Sequence, residues 1–181
     1  MFIEKYVGSL TSNDLRDDEL HRATEALAAA ALADLSGGGG AVFGSMLARA
    51  KYADGISHKT FEAGNHNIAV LLRVWTQVVA NKGFDRCWMK IKHEWDIKAA
   101  YAMYAKIAWV SLAHWLGGEC DQCHGTKVCE GRACTHCHGT GKEPIQGGAL
   151  EREYVADMVS ELEGLFLSHG ARAGAKMRKV A

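Results

Sequence analysis

Apolar residues recur every three or four positions along most of this chain, the spacing that gathers on one face of an α-helix. The clearest stripe is Ile97, Ala100, Tyr101, Tyr104, Ile107, Ala108, Ser111, Leu112 and Trp115. It predicts a helix from about Asp96 to Leu116 with one buried face, stopped by Gly117-Gly118. Leu15, Leu20, Ala23, Leu27, Ala31 and Leu35 predict an earlier helix behind the capping residues Thr11, Ser12 and Asn13. Val42, Phe43, Met46, Leu47 and Ala50 predict another over 41–53. Ile68, Leu71, Leu72, Trp75, Val78 and Val79 predict one that runs to Asn81-Lys82-Gly83, after which Asp85 reads as the cap of a further helix. Leu150, Tyr154, Met158, Leu162, Leu165 and Phe166 place a last helix from Ala149 to about His169, ended by Gly170. Residues 1–10 read as an extended lead, and the end of the chain as a frayed tail. With a single proline and abundant alanine, the fold class is mainly α, a helical bundle.

One stretch breaks the helical period. Residues 120–141 hold Cys120-x-x-Cys123-His-Gly-Thr and Cys134-x-x-Cys137-His-Gly-Thr-Gly, with ten residues between Cys123 and Cys134. Two tight turns that each offer two sulfurs are how a chain builds a four-thiolate tetrahedral zinc site. The glycine two residues after each second cysteine lets the backbone fold back so that amide N–H groups face the thiolates. The spacing also admits two disulfides, and Cys-x-x-Cys-His matches c-type haem attachment. Neither suits a chain without an export signal, so one structural zinc on Cys120, Cys123, Cys134 and Cys137 is the expectation. Cys129, between the knuckles, reads as a spare surface thiol.

These patterns divide the chain into a helical body over 1–117, a zinc module inserted at 118–143, and a C-terminal helix with a basic tail over 144–181. Within the body, Gly37–Gly40 read as a flexible linker, since no Gly-Lys-Ser/Thr follows to hold a phosphate. Residues 41–66 contain Gly55-Ile-Ser57-His58-Lys59, the order of a helix-turn-helix turn and the start of its recognition helix. A plain helical hairpin fits the same residues.

Charge changes the picture only locally. Lys plus Arg equals Asp plus Glu at 21 each, giving no net charge. The acids crowd residues 1–34 and 107–164, and the bases crowd 49–106 and the last seventeen positions. Such blocks suit a protein that meets an anion in one place and a protein surface in another. Candidate nucleic-acid contacts are Ser57, His58 and Lys59 on the helix-turn-helix match, Lys90 and Lys92 around Trp88 and Trp95, Lys127, Arg132 and Lys142 on the zinc module, and Arg172 and Lys176 in the tail. No catalytic motif is present, and four thiolates close a zinc site to substrate, so the chain is not expected to be an enzyme. The start of the chain has no signal-peptide pattern and no segment has the length and apolarity of a membrane span, so a cytoplasmic protein is expected.

The second knuckle, Cys134-x-x-Cys137-His-Gly139-Thr-Gly141, matches the Cys-x-x-Cys-x-Gly-x-Gly knuckle of DnaJ-type chaperones; the first has Lys127 where that pattern has its last glycine. The layout over residues 97–142 resembles the late-gene antitermination Q proteins of lambda-like phages. These place an alanine- and tyrosine-rich helix just before Cys-x-x-Cys-His-Gly-Thr and follow it with a second knuckle. The resemblance implies a factor that binds late-promoter DNA and loads onto bacterial RNA polymerase that still holds sigma. It then prevents terminator hairpins in the nascent RNA from forming, in the cytoplasm of the bacterial host. A zinc-stabilised chaperone-like or adaptor protein that binds another protein is the alternative.

Overall fold

The computed structural model describes residues 2–12, 23–36, 43–52 and 66–178. Among them are six helices: α1 (Phe2–Thr11), α2 (Ala23–Leu35), α3 (Phe43–Tyr52), α4 (His66–Asp85), α5 (Glu94–Gly117) and α6 (Ala149–Arg178). Between α5 and α6 lies an antiparallel pair, β1 (Val128–Cys129) and β2 (Arg132–Ala133). The mainly helical class and the inserted cysteine module are therefore as the sequence predicts. The Gly37–Gly40 linker and Ser57, His58 and Lys59 lie outside the described residues.

The chain forms two compact units. The first comprises residues 1–56 and 163–181. Its α1 corrects the expectation of an extended lead: Phe2, Tyr6 and Ser9 turn to one side and are buried. Small residues of α2, namely Ala26, Ala29, Ala30 and Ala33, give that core room for close helix approach. The second half of α6 belongs to this unit and corrects the expected stop at Gly170. The helix passes through Gly170 and Gly174 because His169 and Ala173 are both fully buried, and their packing outweighs the glycine penalty of roughly 1 kcal/mol each. His169 Nε2 reaches the Asp34 carboxylate at 3.2 Å, and Asp34 in turn accepts a hydrogen bond from the Ser45 backbone N–H. Arg172 donates from Nε to the Ala33 carbonyl at 3.3 Å and from Nη1 to Ser168.

The second unit comprises residues 57–162. α4 and α5 pack through Leu71, Trp75 and Val79 on one side and Tyr104, Ile107, Ala108 and Leu112 on the other, all buried. The Trp75 indole N–H, which would be costly to bury unpaired, donates to Ser111 Oγ at 2.9 Å. The first half of α6 contributes Val155, Met158 and Leu162 to the apolar interior. Lys82–Glu161, Arg86–Asp157 and Lys106–Glu151 ion pairs join half-buried acids of α6 to α4, to the residue just after it, and to α5. Surface pairs of this kind contribute at most about 1 kcal/mol each.

Asp85 does not cap a new helix. It ends α4, and the Cys87 N–H then bonds the Phe84 carbonyl while the Trp88 N–H bonds that of Gly83, with Cys87 at φ 53°. That is a left-handed helix stop built without glycine. α5 starts instead at Glu94, where the Asp96 carboxylate accepts the N–H groups of Lys92 and His93 at 2.8 and 2.9 Å. No helix among the described residues is long and apolar enough to cross a membrane.

Candidate metal centre

The module that follows α5 folds as two copies of one turn. Two of its ladder contacts are related by a shift of fourteen residues: Val128 pairs with Ala133, and Lys142 bridges to Glu119. The Cys134 N–H bonds the Lys127 carbonyl at 2.9 Å, and the Cys120 N–H bonds Gly141 at 3.0 Å. Thr126 Oγ1 donates to the Cys123 carbonyl at 2.5 Å, as Thr140 Oγ1 does to Cys137 at 2.8 Å. The repeated Gly-Thr is thus explained by geometry. The glycines Gly125 and Gly139 take φ 78° and 76°, and the threonines tie down the carbonyls that the reversal leaves open.

This turn design brings four sulfurs together. Cys120, Cys123, Cys134 and Cys137 are buried, and their Sγ atoms all lie within 4.8 Å of one another. Cys120 and Cys134 are 3.9 Å apart, Cys123 and Cys137 3.7 Å. A tetrahedral metal with sulfur bonds of about 2.3 Å sets its ligands ~3.8 Å apart, whereas disulfide sulfurs touch at about 2.05 Å. The donor set and its spacing therefore fit a metal ion and do not fit two disulfides. The Gly141 N–H points at Cys137 Sγ at 3.3 Å, offsetting thiolate charge as the glycine spacing predicts.

The thiols titrate unequally when free of metal. Burial opposes charge on Cys137, but the Gly141 N–H and the neighbouring thiols overcome it and bring it down to about 6. The Cys137 N–H is the main cause lowering Cys134, while burial pushes Cys120 up to about 11. Metal binding has to displace whatever protons remain.

Cys129 stands outside the four-sulfur group, as expected of a spare thiol, but it is not a surface one. It is half-buried against the four cysteines, and its Sγ donates to the Gln122 carbonyl at 3.6 Å. Sequence reasoning also missed the His136–Glu143 pair. Glu143 accepts from His136 Nε2 at 2.6 Å and from the Asp121 N–H at 3.3 Å, so one carboxylate joins both knuckle loops. That hydrogen bond raises the His136 pKa and lowers that of Glu143.

Of the predicted nucleic-acid contacts, Lys127, Arg132 and Lys142 are exposed on the module, and Lys90 and Lys92 are exposed just before α5. Arg172 is turned onto its own unit's backbone, and Lys176 is half-buried on α6. Of the sequence-predicted site residues, the structure brings the four cysteines together. Comparison with protein-family models, with curated proteins and with solved structures gave no match.

Lys127 stands at φ 69°, where the second turn has Gly141 at φ 77°. A residue with a Cβ is strained there by about 1–2 kcal/mol, partly balanced by the greater chain entropy of glycine. Lys127→Gly is expected to stabilise the module by roughly 0.5–1 kcal/mol. Gly141→Ala is expected to destabilise it, because the added Cβ would sit 2.8 Å from the Gly125 carbonyl oxygen. Competition with a chelator reads both effects, and a weaker metal grip in Lys127→Gly would contradict this account.

Proposed function

We propose that this protein is a transcription antitermination factor of bacteriophage type, built around one structural zinc ion. Cys120, Cys123, Cys134 and Cys137 would hold the ion, whose four thiolates leave no open position for substrate. Its contribution is then to order the module. The observation that carries the proposal is the combination already described: a long alanine- and tyrosine-rich α5 leads through Gly118 directly into two knuckles that close on a single site. That combination is the basis of the resemblance to the Q proteins. In this reading the protein binds late-promoter DNA and bacterial RNA polymerase carrying sigma, and blocks hairpin formation sterically, without chemistry of its own. Lys127, Arg132 and Lys142, exposed on the module, suit phosphate contact.

The test is transcription across an intrinsic terminator from the cognate late promoter. Addition of the protein is expected to raise readthrough several-fold, and the Cys134→Ser variant is expected to leave termination at its basal level. Unchanged termination by a folded, fully metallated protein would overturn the proposal and favour the adaptor reading. Deleting residues 171–181 is not a clean probe of a tail, since Ala173 is part of a core.

A further inference from the structure

The segment between α4 and α5 combines open aromatic surface with positive charge. Trp95, in the first turn of α5, is 69% exposed, whereas the ring of Tyr101 further along the helix meets Phe84 edge-to-face with centres 5.5 Å apart. Trp88, its sequence neighbour in the same basic cluster, is differently employed: it stacks on Tyr154 with ring centres 4.4 Å apart and planes 12° from parallel. The fold thus consumes one indole and leaves the other in solvent. Trp95 is nonetheless held in place. The His93 ring lies 4.8 Å from it, and the Asp96 carboxylate fixes the backbone at Lys92 and His93. A shallow cleft beside it is lined by Ile91, Lys92, His93, Glu94, Trp95 and Ile97.

The charges around this indole are mostly uncommitted cations. Lys90, Lys92 and Lys98 are exposed, and among the described residues none forms an ion pair. Of the two acids in the first turn of α5, Asp96 is engaged in the helix cap and Glu94 is exposed.

We propose that Trp95, with the lysines 90, 92 and 98, forms a binding platform for single-stranded RNA. An exposed aromatic face offers stacking to any unpaired base, and flanking lysines meet the phosphates. A duplex keeps its base faces stacked on one another and presents only phosphates to such a surface, so the indole discriminates in favour of single strands. This deepens the proposed function by giving nascent RNA a docking point. Only the word nascent rests on that reading; the binding itself is measured without polymerase, so either can fail alone.

The experiment is fluorescence anisotropy of the full-length protein with labelled oligouridine and, separately, a DNA duplex of the same length. Wild-type protein is expected to bind the RNA more tightly and to show quenched tryptophan emission. Trp95→Ala is expected to weaken RNA binding about tenfold or more, with Trp95→Phe retaining most of it. Lys92→Gln is expected to reduce the salt dependence. Circular dichroism equal to wild type excludes misfolding, since Trp95 supports no core. Equal RNA affinity in wild type and Trp95→Ala would overturn the proposal, and so would preference for the duplex. Trp95-dependent dimerisation in sedimentation, or Trp95-dependent binding to phosphatidylserine vesicles, in the absence of RNA binding, would reassign the surface to a second copy of the chain or to a membrane.

Discussion

Cys134→Ser is expected to abolish tight metal binding and to unfold residues 118–143. The reason lies in what the module buries. Between Gly118 and Glu143 the buried residues are the four cysteines and two glycines, Gly118 and Gly141. Val128, an apolar side chain of the hairpin, is 49% exposed. Four thiol side chains bury far too little apolar area to offset the ordering of so many residues, at roughly 1–2 kcal/mol of backbone entropy each. A structural zinc contributes about 10–16 kcal/mol of apparent binding free energy in small metal-dependent folds, the scale of stabilisation that a metal ion on these four thiolates would supply. Removing one thiolate leaves three ligands and a site open to water. Atomic emission after dialysis is expected to give one metal ion per wild-type chain and close to none in Cys134→Ser, with Cys129→Ser retaining it. Acid titration should release the metal, because protons compete for every thiolate. The damage should reach α5, whose end is joined to the module by the Glu143 N–H on the Gly118 carbonyl at 2.9 Å. A Cys134→Ser protein with full metal content and unchanged melting would refute the four-cysteine assignment.

The metal site was legible in the sequence because its information is local. Two ligands per turn, fixed glycine offsets and a repeated threonine specify the geometry without reference to the rest of the fold. α5 was legible for a similar reason: its stripe is long and periodic. The misses share the opposite property. α1 shows only Phe2, Tyr6 and Ser9 on its buried side, too short a stripe to outweigh Gly8 and Thr11 when read alone; packing against α2 and α3 makes it a helix. Gly170 looked like a stop because the burial of His169 and Ala173 depends on tertiary partners, among them the Ala30 carbonyl near His169 Nε2. Cys87 stops α4 in a left-handed conformation that sequence patterns assign to glycine or asparagine. Trp88 and Trp95 are indistinguishable by composition, and packing against Tyr154 and Tyr104 is what half-buries the first while the second stays exposed.

Gly83→Ala is the second large effect expected, and its sign runs against helix propensity. In an exposed helix the change would stabilise by up to about 1 kcal/mol. At Gly83 the added Cβ would stand 2.3 Å from Tyr104 Cε1 and 2.7 Å from Cζ. The Tyr104 ring has little freedom to yield. It is fully buried, meets Phe84 edge-to-face with centres 5.2 Å apart, and has Trp88 and Tyr101 at 6.2 and 6.5 Å. Accommodation therefore means separating α4 from α5 or forcing the ring from its rotamer, which costs about 1–3 kcal/mol and exceeds the propensity gain. The control is Gly164→Ala on α6, where nothing lies within 4 Å of the new Cβ and the propensity term acts unopposed. Thermal melting should fall by several degrees in Gly83→Ala and rise slightly in Gly164→Ala, at about 2–4 °C per kcal/mol for a chain of this size. Tyr104→Phe adds a second reading of the same pocket. Its hydroxyl is buried with no hydrogen-bond partner, and burial raises its pKa, so losing it should leave stability equal or higher. Metal content should stay at one per chain in all three variants, because the thiolate site is assembled from its own turns. Gly83→Ala melting at or above wild type would show that α4 and α5 are not packed around Tyr104 as described.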